Sequence, residues 1–342
     1  MSKDNADSVV IQNKNWLDKL APYKQISWKK STYQLINSFV PFLGLWYLSY
    51  QLLSYSYLLS LAVSLLNAGF AARLFLILHD CCHGTFYKSK KLRNIVGFIC
   101  GVVTLTPYYH WQKIHLNHHA CSSNLNRRDI GDFPLMTVQE YKNGTEKQKK
   151  NYRFMRSAYT IFLLVPFLLF FVLQRLPVKN IPNFSKKDSQ SVLWTNITIL
   201  SVVLLISYLV GFKNFFLVQF PTSLFVSTIG VWMFFVQHNF EKTYWDEKEN
   251  LSFYQAAMKG SSYLDFPFLL KWFTADVSYH HIHHLSPSIP NYNLKKCHNE
   301  NPEFQDVPTL GFFEALKAPS YKLWDEESKK LITFEEFKLK TL

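Results

Sequence analysis

Residues 55–91 read "YSYLLSLAVSLLNAGFAARLFLILHDCCHGTFYKSKK". This stretch is apolar from Tyr55 to Leu78, and two histidines, His79 and His83, then precede a group of lysines. An apolar run of roughly 20 residues can cross a membrane as a helix. The sequence therefore predicts a transmembrane helix whose last turn carries two imidazoles at the edge of the bilayer.

Three further apolar runs have a similar length, namely Thr32–Leu53, Val192–Val210 and Phe215–Val236. The first stands directly before the quoted stretch, and the other two are joined only by "GFKN". Short connections favour antiparallel neighbours. The fold class expected is an all-α integral membrane protein with four transmembrane helices in two hairpins and a cytoplasmic, histidine-rich helical cap.

Two other apolar runs, 95–106 and 158–173, are expected to be re-entrant or interfacial. The first is too short to cross, and the second contains Pro166. If 158–173 crossed, the positive charges that follow it would lie outside, against the tendency of Lys and Arg to remain cytoplasmic. Those charges are Arg175, Lys179, Lys186 and Lys187. With this interpretation both termini are cytoplasmic; the alternative, that 158–173 is a true span, stays open.

The predicted domain organisation has three parts. Residues 1–31 form a cytoplasmic or interfacial segment, 32–310 the membrane domain, and 311–342 a charged cytoplasmic tail. The net charge of +13 suits anionic headgroups or an acidic soluble partner. Nucleic acid is not expected as a partner, because no basic run carries a binding motif. The five cysteines lack regular spacing, which argues against a disulfide framework and favours a reducing cytoplasm.

Eleven of the twelve histidines fall into four places along the chain. Residues at positions i, i+3 and i+4 share one face of a helix, so each group with that spacing can present its imidazoles in one direction. The groups are His79 and His83; His110, His115, His118 and His119; His238; and His280, His281, His283 and His284.

Neutral imidazole is the commonest transition-metal ligand among side chains, so the clustering predicts a metal site. Eight histidines have the helical spacing, and His238 is a candidate ninth. This number exceeds the four ligands that one zinc ion takes, and two metal ions fit the count. Imidazole without thiolate suits iron, copper or zinc, and ligand type alone leaves these three open.

With these residues the chain resembles the membrane fatty acid desaturases, and most of all the bacterial acyl-lipid desaturases of the Δ12-like group. The resemblance covers about residues 30 to 320 and lies in the stretches "HDCCHGTFYKS", "TPYYHWQKIHLNHHA", "RRDIGDFPLMTVQEY", "VQHNFEKTYW" and "HHIHHLSPSIPNYNL". It implies that eight histidines are ligands of the three histidine boxes, with His238 as a further ligand. The box residues are His79, His83, His115, His118, His119, His280, His283 and His284.

The resemblance also implies a function. Two iron ions would activate O2, and the enzyme would introduce a cis double bond into an acyl chain carried by a lipid or a thioester. Two electrons would come from a separate donor such as ferredoxin or a b-type cytochrome. A hydroxylase of the same superfamily is the alternative enzyme. A metal transporter fits poorly, because the histidines cluster at the ends of the spans instead of following a path through them.

Other residues are expected to support the site. Groups that contact a ligand imidazole hold its ring in place, and the candidates for this role are Asp80, Trp111, Glu241 and Asp276, with Asp129 and Asp132 as further carboxylates. His110 and His281 are expected to be structural, and His298 to lie at the surface. Trp232, Phe234 and Phe235 are predicted either to line the acyl channel or to face lipid. The stretch "ADVS" (275–278) departs from the "GNIG" typical of relatives.

Overall fold

The computed structural model describes residues 16–128 and 131–341, and its secondary structure is mostly helical. The helices of the first two thirds are α1 (Trp28–Leu52), α2 (Tyr57–His83), α3 (Lys90–Val103), α4 (Tyr108–Cys121), α5 (Val138–Asn143), α6 (Glu146–Met155), α7 (Lys186–Val210) and α8 (Phe212–His238). They are followed by α9 (Phe253–Lys259), α10 (Phe268–Phe273), α11 (His280–Leu285), α12 (Asn291–Glu300), α13 (Phe312–Lys317) and α14 (Phe334–Thr341). Between α6 and α7, residues Thr160–Arg175 form a bent series of π, α and 3-10 turns.

Five short strands form two small sheets: β1 (Met136–Thr137), β2 (Tyr263–Leu264), β3 (Thr309–Leu310), β4 (Leu323–Asp325) and β5 (Lys330–Ile332). In the first sheet, β4 lies between β1, to which it is parallel, and β5, to which it is antiparallel. In the second, β2 and β3 are parallel. The first sheet joins the C-terminal segment, predicted as a tail, to the chain just after the second histidine group.

Among the described residues, three helices are long and apolar enough to cross a membrane: α2, α7 and α8. They correspond to three of the four predicted spans. Helix α1 has 25 residues but is not among these three helices. Its mean hydropathy is lowered by Asn37, Gln51 and several tyrosines. The prediction of Thr32–Leu53 as a span is therefore not confirmed.

The two weaker apolar runs do not form straight spanning helices. Residues 95–106 fall largely in α3, whose 14 residues extend about 21 Å, less than a bilayer core. Residues 158–173 lie in Thr160–Arg175, which is bent by 56° against α6. The pair counts as a fourth span only if both parts are taken together, and the bend also suits a re-entrant segment.

Helices α1 and α2 pack side by side in opposite directions. Near the start of α1, the Thr32 hydroxyl lies 3.0 Å from the Tyr87 hydroxyl, just beyond the end of α2. Near the other end, the Ser49 hydroxyl lies 2.9 Å from those of Ser60 and Ser64. Small hydroxyl residues let two helices approach closely and hydrogen-bond in an apolar surrounding.

Helix α2 ends where the first histidine pair stands. Gly84 follows His83 with φ +83°, a left-handed conformation that glycine adopts at low cost. The chain then turns into α3, which packs against α4 through Gly97. A Cβ on Gly97 would lie 2.4 Å from the Tyr108 ring, so the two helices meet at their closest there. This contact fixes the start of α4, the helix that carries the second histidine group.

Candidate metal centre

Four helices bring nine histidines together. The last turn of α2 supplies His79 and His83, and the last residue of α8 is His238. The other two helices, α4 and α11, lie outside the candidate spans and supply three imidazoles each. These are His115, His118 and His119 from α4 and His280, His283 and His284 from α11.

Five of these imidazoles form one group, the five-histidine cluster: His79, His83, His115, His119 and His283. One ring nitrogen of each lies within 4.8 Å of the others. Neighbouring Nε2 atoms are separated by 3.0 Å between His79 and His283 and by 2.8 Å between His83 and His115. This spacing is suited to a single ion surrounded by nitrogen ligands.

The remaining four imidazoles form the four-histidine cluster: His118, His238, His280 and His284. Their Nε2 atoms also converge, with 2.9 Å between His238 and His280 and 3.1 Å between His284 and His280. Helices α4 and α11 contribute to both clusters, whereas α2 serves only the first and α8 only the second. The two clusters are therefore neighbours, tied together by two short helices.

Burial keeps five of the nine rings neutral. It lowers the pKa of His115, His119, His280, His283 and His284 well below the ordinary value, and the neighbouring imidazoles lower it further. At neutral pH each ring is therefore unprotonated at one nitrogen. A neutral imidazole is the form that binds a metal ion.

The hydrogen bonds of the four-histidine cluster fit a cation at its centre. His118 donates from Nδ1 to Asp132 Oδ1 over 2.7 Å, and His238 donates from Nδ1 to the Gly260 carbonyl over 3.1 Å. A neutral imidazole that donates from Nδ1 carries only a lone pair on Nε2. These two Nε2 atoms lie 3.2 Å apart and cannot hydrogen-bond to each other. A shared positive ion would turn this unfavourable contact into ligation.

Two of the predicted supporting residues touch the clusters. The Asp80 carboxylate lies 3.3 Å from His79 Nδ1, and its other oxygen accepts the Asn291 backbone N–H over 2.9 Å. The Trp111 ring is stacked on His115 with 4.5 Å between centroids and 12° between planes. Asp80 thus links the end of α2 to the start of α12, and Trp111 covers one side of the five-histidine cluster.

The other two predicted supporting residues lie elsewhere. Glu241 pairs with Lys330 over 3.0 Å and accepts from the Tyr321 hydroxyl over 3.3 Å, so its carboxylate serves the C-terminal segment. Asp276 lines a surface cavity with Lys271 and Lys295. Sequence proximity to a histidine was misleading for both, because the backbone turns away: α8 ends at His238, and Asp276 stands in a left-handed turn with φ +56°.

Asp132 and Gly260 are the groups that sequence reasoning did not rank. Asp132 was one of several candidate carboxylates, and nothing in its surroundings distinguished it. Gly131, with φ +83°, brings this loop against α4, since a Cβ there would lie 3.1 Å from the His118 Cβ. The other oxygen of Asp132 is buried and has no hydrogen-bond partner among the described residues. Asp129 lies outside the described residues.

The three remaining histidines stand outside both clusters. His110 Nε2 accepts the Val178 backbone N–H over 3.2 Å. His281 Nε2 lies 3.1 Å from His298 Nδ1, and both side chains are buried. The expectation of a surface His298 was therefore wrong: it packs with Tyr263 and Tyr279 below α11 and completes a pair whose members are 17 residues apart.

Aromatic rings surround the clusters on the side of the spans. Phe234 lies on the four-histidine cluster, 4.9 Å from the His118 ring and 5.5 Å from the His238 ring between centroids. Phe75 meets Trp111 edge to face at 5.1 Å. Phe235 is buried against Phe133, and Trp232 stacks on Phe266, so neither of these two has its main packing against an imidazole.

Comparison with known proteins gives consistent findings. The family model described as fatty acid desaturase matches residues 55–313. A fatty acid desaturase of Bacillus subtilis (strain 168) is 40% identical over 331 residues, covering 97% of this chain and 93% of the relative. The sn-1 acyl-lipid omega-3 desaturase (ferredoxin) of Nostoc sp. (strain 36) is 29% identical, and the alignment covers 74% of this chain and 69% of that relative. An sn-1 oleoyl-lipid 12-desaturase of Synechocystis is 25% identical, and the alignment covers 66% of this chain and 63% of that relative.

Proposed function

The chain belongs to the fatty acid desaturase family, and from this premise we propose that it desaturates the acyl chain of a membrane lipid with two metal ions, one in each histidine cluster. Enzymes of this family are oxidoreductases. The observation that carries the proposal is the convergence of nine imidazoles, six of them buried and three partly buried, into two groups, each with its ring nitrogens within 4.8 Å of one another.

Nine histidines are the proposed ligands: the five of the first cluster, which are His79, His83, His115, His119 and His283, and the four of the second, which are His118, His238, His280 and His284. The facing Nε2 atoms of His118 and His238, each with a lone pair and no proton when Nδ1 is the donor, support this assignment. Iron is the proposed metal, because oxygen-dependent removal of hydrogen needs a redox-active ion and the ligands are imidazoles without thiolate. Two bound iron ions would supply the activation of O2 that an unactivated methylene pair requires.

The protein's own groups hold and shield the reaction site. Asp132 and the Gly260 carbonyl keep Nδ1 of His118 and His238 protonated, which directs both Nε2 lone pairs inward. Phe234, Trp111 and Phe75 cover the clusters on the side of the spans and exclude water from the reacting carbons. Packing of the acyl chain against these rings would select which methylene pair lies over the clusters.

The proposed topology has four spans in two hairpins, α1 with α2 and α7 with α8, with Thr160–Arg175 re-entrant. The contacts at both ends of α1 and α2 support the first hairpin. The start of α7 lies beside α4, where Lys113 pairs with Asp188 over 2.7 Å, so α7 begins near the histidine clusters and α8 returns to them. Positive charges around these ends support a cytoplasmic location of the clusters and of both termini.

The proposed electron donor is a separate acidic protein of the ferredoxin type, since a relative is named for ferredoxin and this chain has a net charge of +13. Docking between opposite charges weakens as salt rises. With reduced ferredoxin, turnover should fall several-fold between low and high ionic strength. A rate that stays constant, while a small chemical reductant also gives a constant rate, would contradict electrostatic docking.

The central experiment expresses the chain in a bacterium that lacks polyunsaturated lipids, together with ferredoxin and its reductase. Mass spectrometry of intact lipids should find acyl chains that have lost two hydrogens, and double-bond localisation should give one position. A hydroxylase would instead add oxygen. Normal membrane expression with unchanged lipids would refute the proposal.

The metal assignment is tested with a matched pair of histidine variants. His283→Ala removes a ligand of the five-histidine cluster, and activity and bound iron should both fall. His110→Ala removes a buried histidine on the same side of the protein whose partner is a backbone N–H, and it should keep its iron. Equal iron content in the two variants would contradict the ligand set.

A further inference from the structure

Two short helices outside the candidate spans expose large apolar side chains. Phe268 and Leu269 at the start of α10 are 75% and 61% exposed. Phe313 and Leu316 on α13 are 79% and 52% exposed. We call these four residues the α10–α13 patch. Exposed phenylalanine and leucine at neighbouring sites mark a surface that meets another apolar phase.

The second sheet holds the two halves of the patch side by side. Parallel strands β2 and β3 each run directly into one helix, β2 into α10 and β3 into α13. The Asp265 N–H donates to the Leu310 carbonyl over 2.9 Å, and the Phe266 and Phe312 rings lie 5.9 Å apart. Strands β2 and β3 and helices α10 and α13 therefore form one connected unit, which we call the ledge, and the α10–α13 patch lies on it.

This ledge packs against the spans at a level on the membrane side of the histidine clusters. Phe273, at the end of α10, lies on Gly69, where a Cβ would be 2.9 Å from its ring. Gly69 precedes His79 by ten residues, about 15 Å along α2. Phe266 stacks on Trp232 with 5.6 Å between centroids, and Trp232 precedes His238 by six residues, about 9 Å along α8.

Polar groups near the ledge are arranged as at a membrane surface. Lys271 and Lys295 line, together with Asp276, a cavity of about 250 Å³ whose apolar wall includes Phe268 and Trp272, and Lys271 Nζ also pairs with Asp265 Oδ1 over 2.7 Å. Lysines extend their charged ends towards headgroups while their stems remain on apolar surface. The Glu314 carboxylate beside Phe313 is turned back and accepts the Gly311 N–H over 2.6 Å, which caps the start of α13.

We propose that the α10–α13 patch inserts into the acyl region of the leaflet next to the histidine clusters, with Lys271 and Lys295 at the level of the lipid phosphates. The occupant is lipid because the patch continues the apolar surfaces of α2 and α8, against which its own helices pack. About half of α2 and of α8 is not buried in the protein and already needs lipid around it.

Insertion would also fix the third histidine group relative to the leaflet. The Leu264 N–H of β2 donates to the Ser278 carbonyl over 2.9 Å, two residues before α11. Tyr263 stacks on Tyr279 with 4.7 Å between centroids, and the Ser262 N–H donates to the Gln237 carbonyl beside His238. A ledge held by lipid thus holds α11 and the end of α8 at a constant depth.

The test is spin labelling in lipid nanodiscs. All five native cysteines are buried, so a single introduced cysteine is labelled selectively. Leu269→Cys and Phe313→Cys report on the two halves of the patch. Collisions of the nitroxide with O2, which concentrates in lipid, are compared with collisions with a water-soluble nickel chelate.

Two reference positions calibrate the measurement. Leu200→Cys lies on the exposed face of α7 and reports lipid, and Glu146→Cys at the start of α6, with its side chain 91% exposed, reports water. The ratio of O2 to nickel collisions at both patch positions should match Leu200→Cys and exceed Glu146→Cys several-fold. A water-like ratio at either position, or protection from both reagents as in a protein contact, overturns the proposal. The measurement needs no turnover, so its outcome is independent of the proposed chemistry.

Discussion

Asp132 is the residue that most directly tests how the four-histidine cluster is held. Its carboxylate accepts the His118 Nδ1–H over 2.7 Å, and replacement by the neutral amide in Asp132→Asn weakens this charge-assisted bond. Loss of such a partner typically costs a metal site about 10–100-fold in affinity. Iron retained after dialysis against graded chelator should therefore fall in Asp132→Asn and further in Asp132→Ala.

Glu241→Gln is the matched control for this carboxylate. Its side chain pairs with Lys330, so the variant should keep wild-type iron. Retention of iron at the same chelator concentration in Asp132→Ala and Glu241→Gln would show that the bond to His118 does not position a ligand.

Gly84 gives a second prediction at the scale of one residue. Its φ of +83° is left-handed, and a Cβ there has room, with Arg93 no closer than 3.7 Å. Gly84→Ala should therefore destabilise through the backbone alone, by about 1–2 kcal/mol, and loosen His83 beside it. The melting temperature should fall, whereas Gly44→Ala, in the interior of α1 with open space around it, should not lower it. Equal melting temperatures for the two variants would contradict this account.

The unusual "ADVS" stretch (275–278) contains two residues with an uncommon backbone conformation. Ala275 and Asp276 both have positive φ, +46° and +56°. Gly and Asn, which relatives tend to have there, adopt this conformation more easily. The departure from the usual residues was visible in the sequence, but its meaning depends on backbone angles that only the structure provides.

At the scale of elements, the contact between α3 and α4 determines where the second histidine group lies. Tyr108 is almost fully buried over Gly97, and its hydroxyl donates to the Cys81 carbonyl over 2.9 Å, so the ring cannot move aside. Gly97→Ala should cost about 1–3 kcal/mol by overpacking and displace α4. Both the melting temperature and the bound iron should decrease.

Gly230→Ala is the control for that contact. Gly230 lies inside α8, and no atom would lie within 4 Å of a Cβ placed there. Alanine also stabilises a helix more than glycine does. The melting temperature of Gly230→Ala should stay the same or rise. If Gly97→Ala melts at the same temperature as Gly230→Ala and binds as much iron, the contact does not position α4.

Helical spacing and apolar length made the elements that carry the histidines predictable. The spacing of the histidines placed each group on a helix, and apolar length predicted α2, α7 and α8. Helix α1 was predicted as a span as well, and part of its polar content lies against α2 and is hydrogen-bonded there, as Ser49 shows. Hydropathy counts these residues as polar whatever their partners are.

At the scale of the whole molecule, Arg156 joins three separate segments. It donates to the Tyr321 carbonyl over 2.9 Å, to the Pro134 carbonyl over 3.4 Å and to the Asn239 side chain. Arg156→Met leaves these acceptors buried without a donor, at about 1–3 kcal/mol for each. The melting temperature should drop by much more than in Arg153→Met, which changes an exposed arginine of α6. Equal effects would show that Arg156 does not hold the segments together.

The arrangement that Arg156 supports was not predictable from the sequence. Strands of two or three residues have no periodicity, and β1 pairs with β4 across more than 180 residues. The two clusters depend on the same kind of distant contact, since the sequence grouped histidines by helix, whereas the structure divides α4 and α11 between both clusters. Which imidazole joins which cluster is set by how the helices cross.

The position of α11 along the chain has a consequence for biosynthesis. Both clusters need imidazoles from α11, and this helix follows the last candidate span. While the ribosome is still translating the spans, neither cluster has its full complement of rings. Completion of either cluster would therefore follow translation of the candidate spans, and a nascent chain stalled before residue 280 would lack one imidazole of the five-histidine cluster and two of the four-histidine cluster.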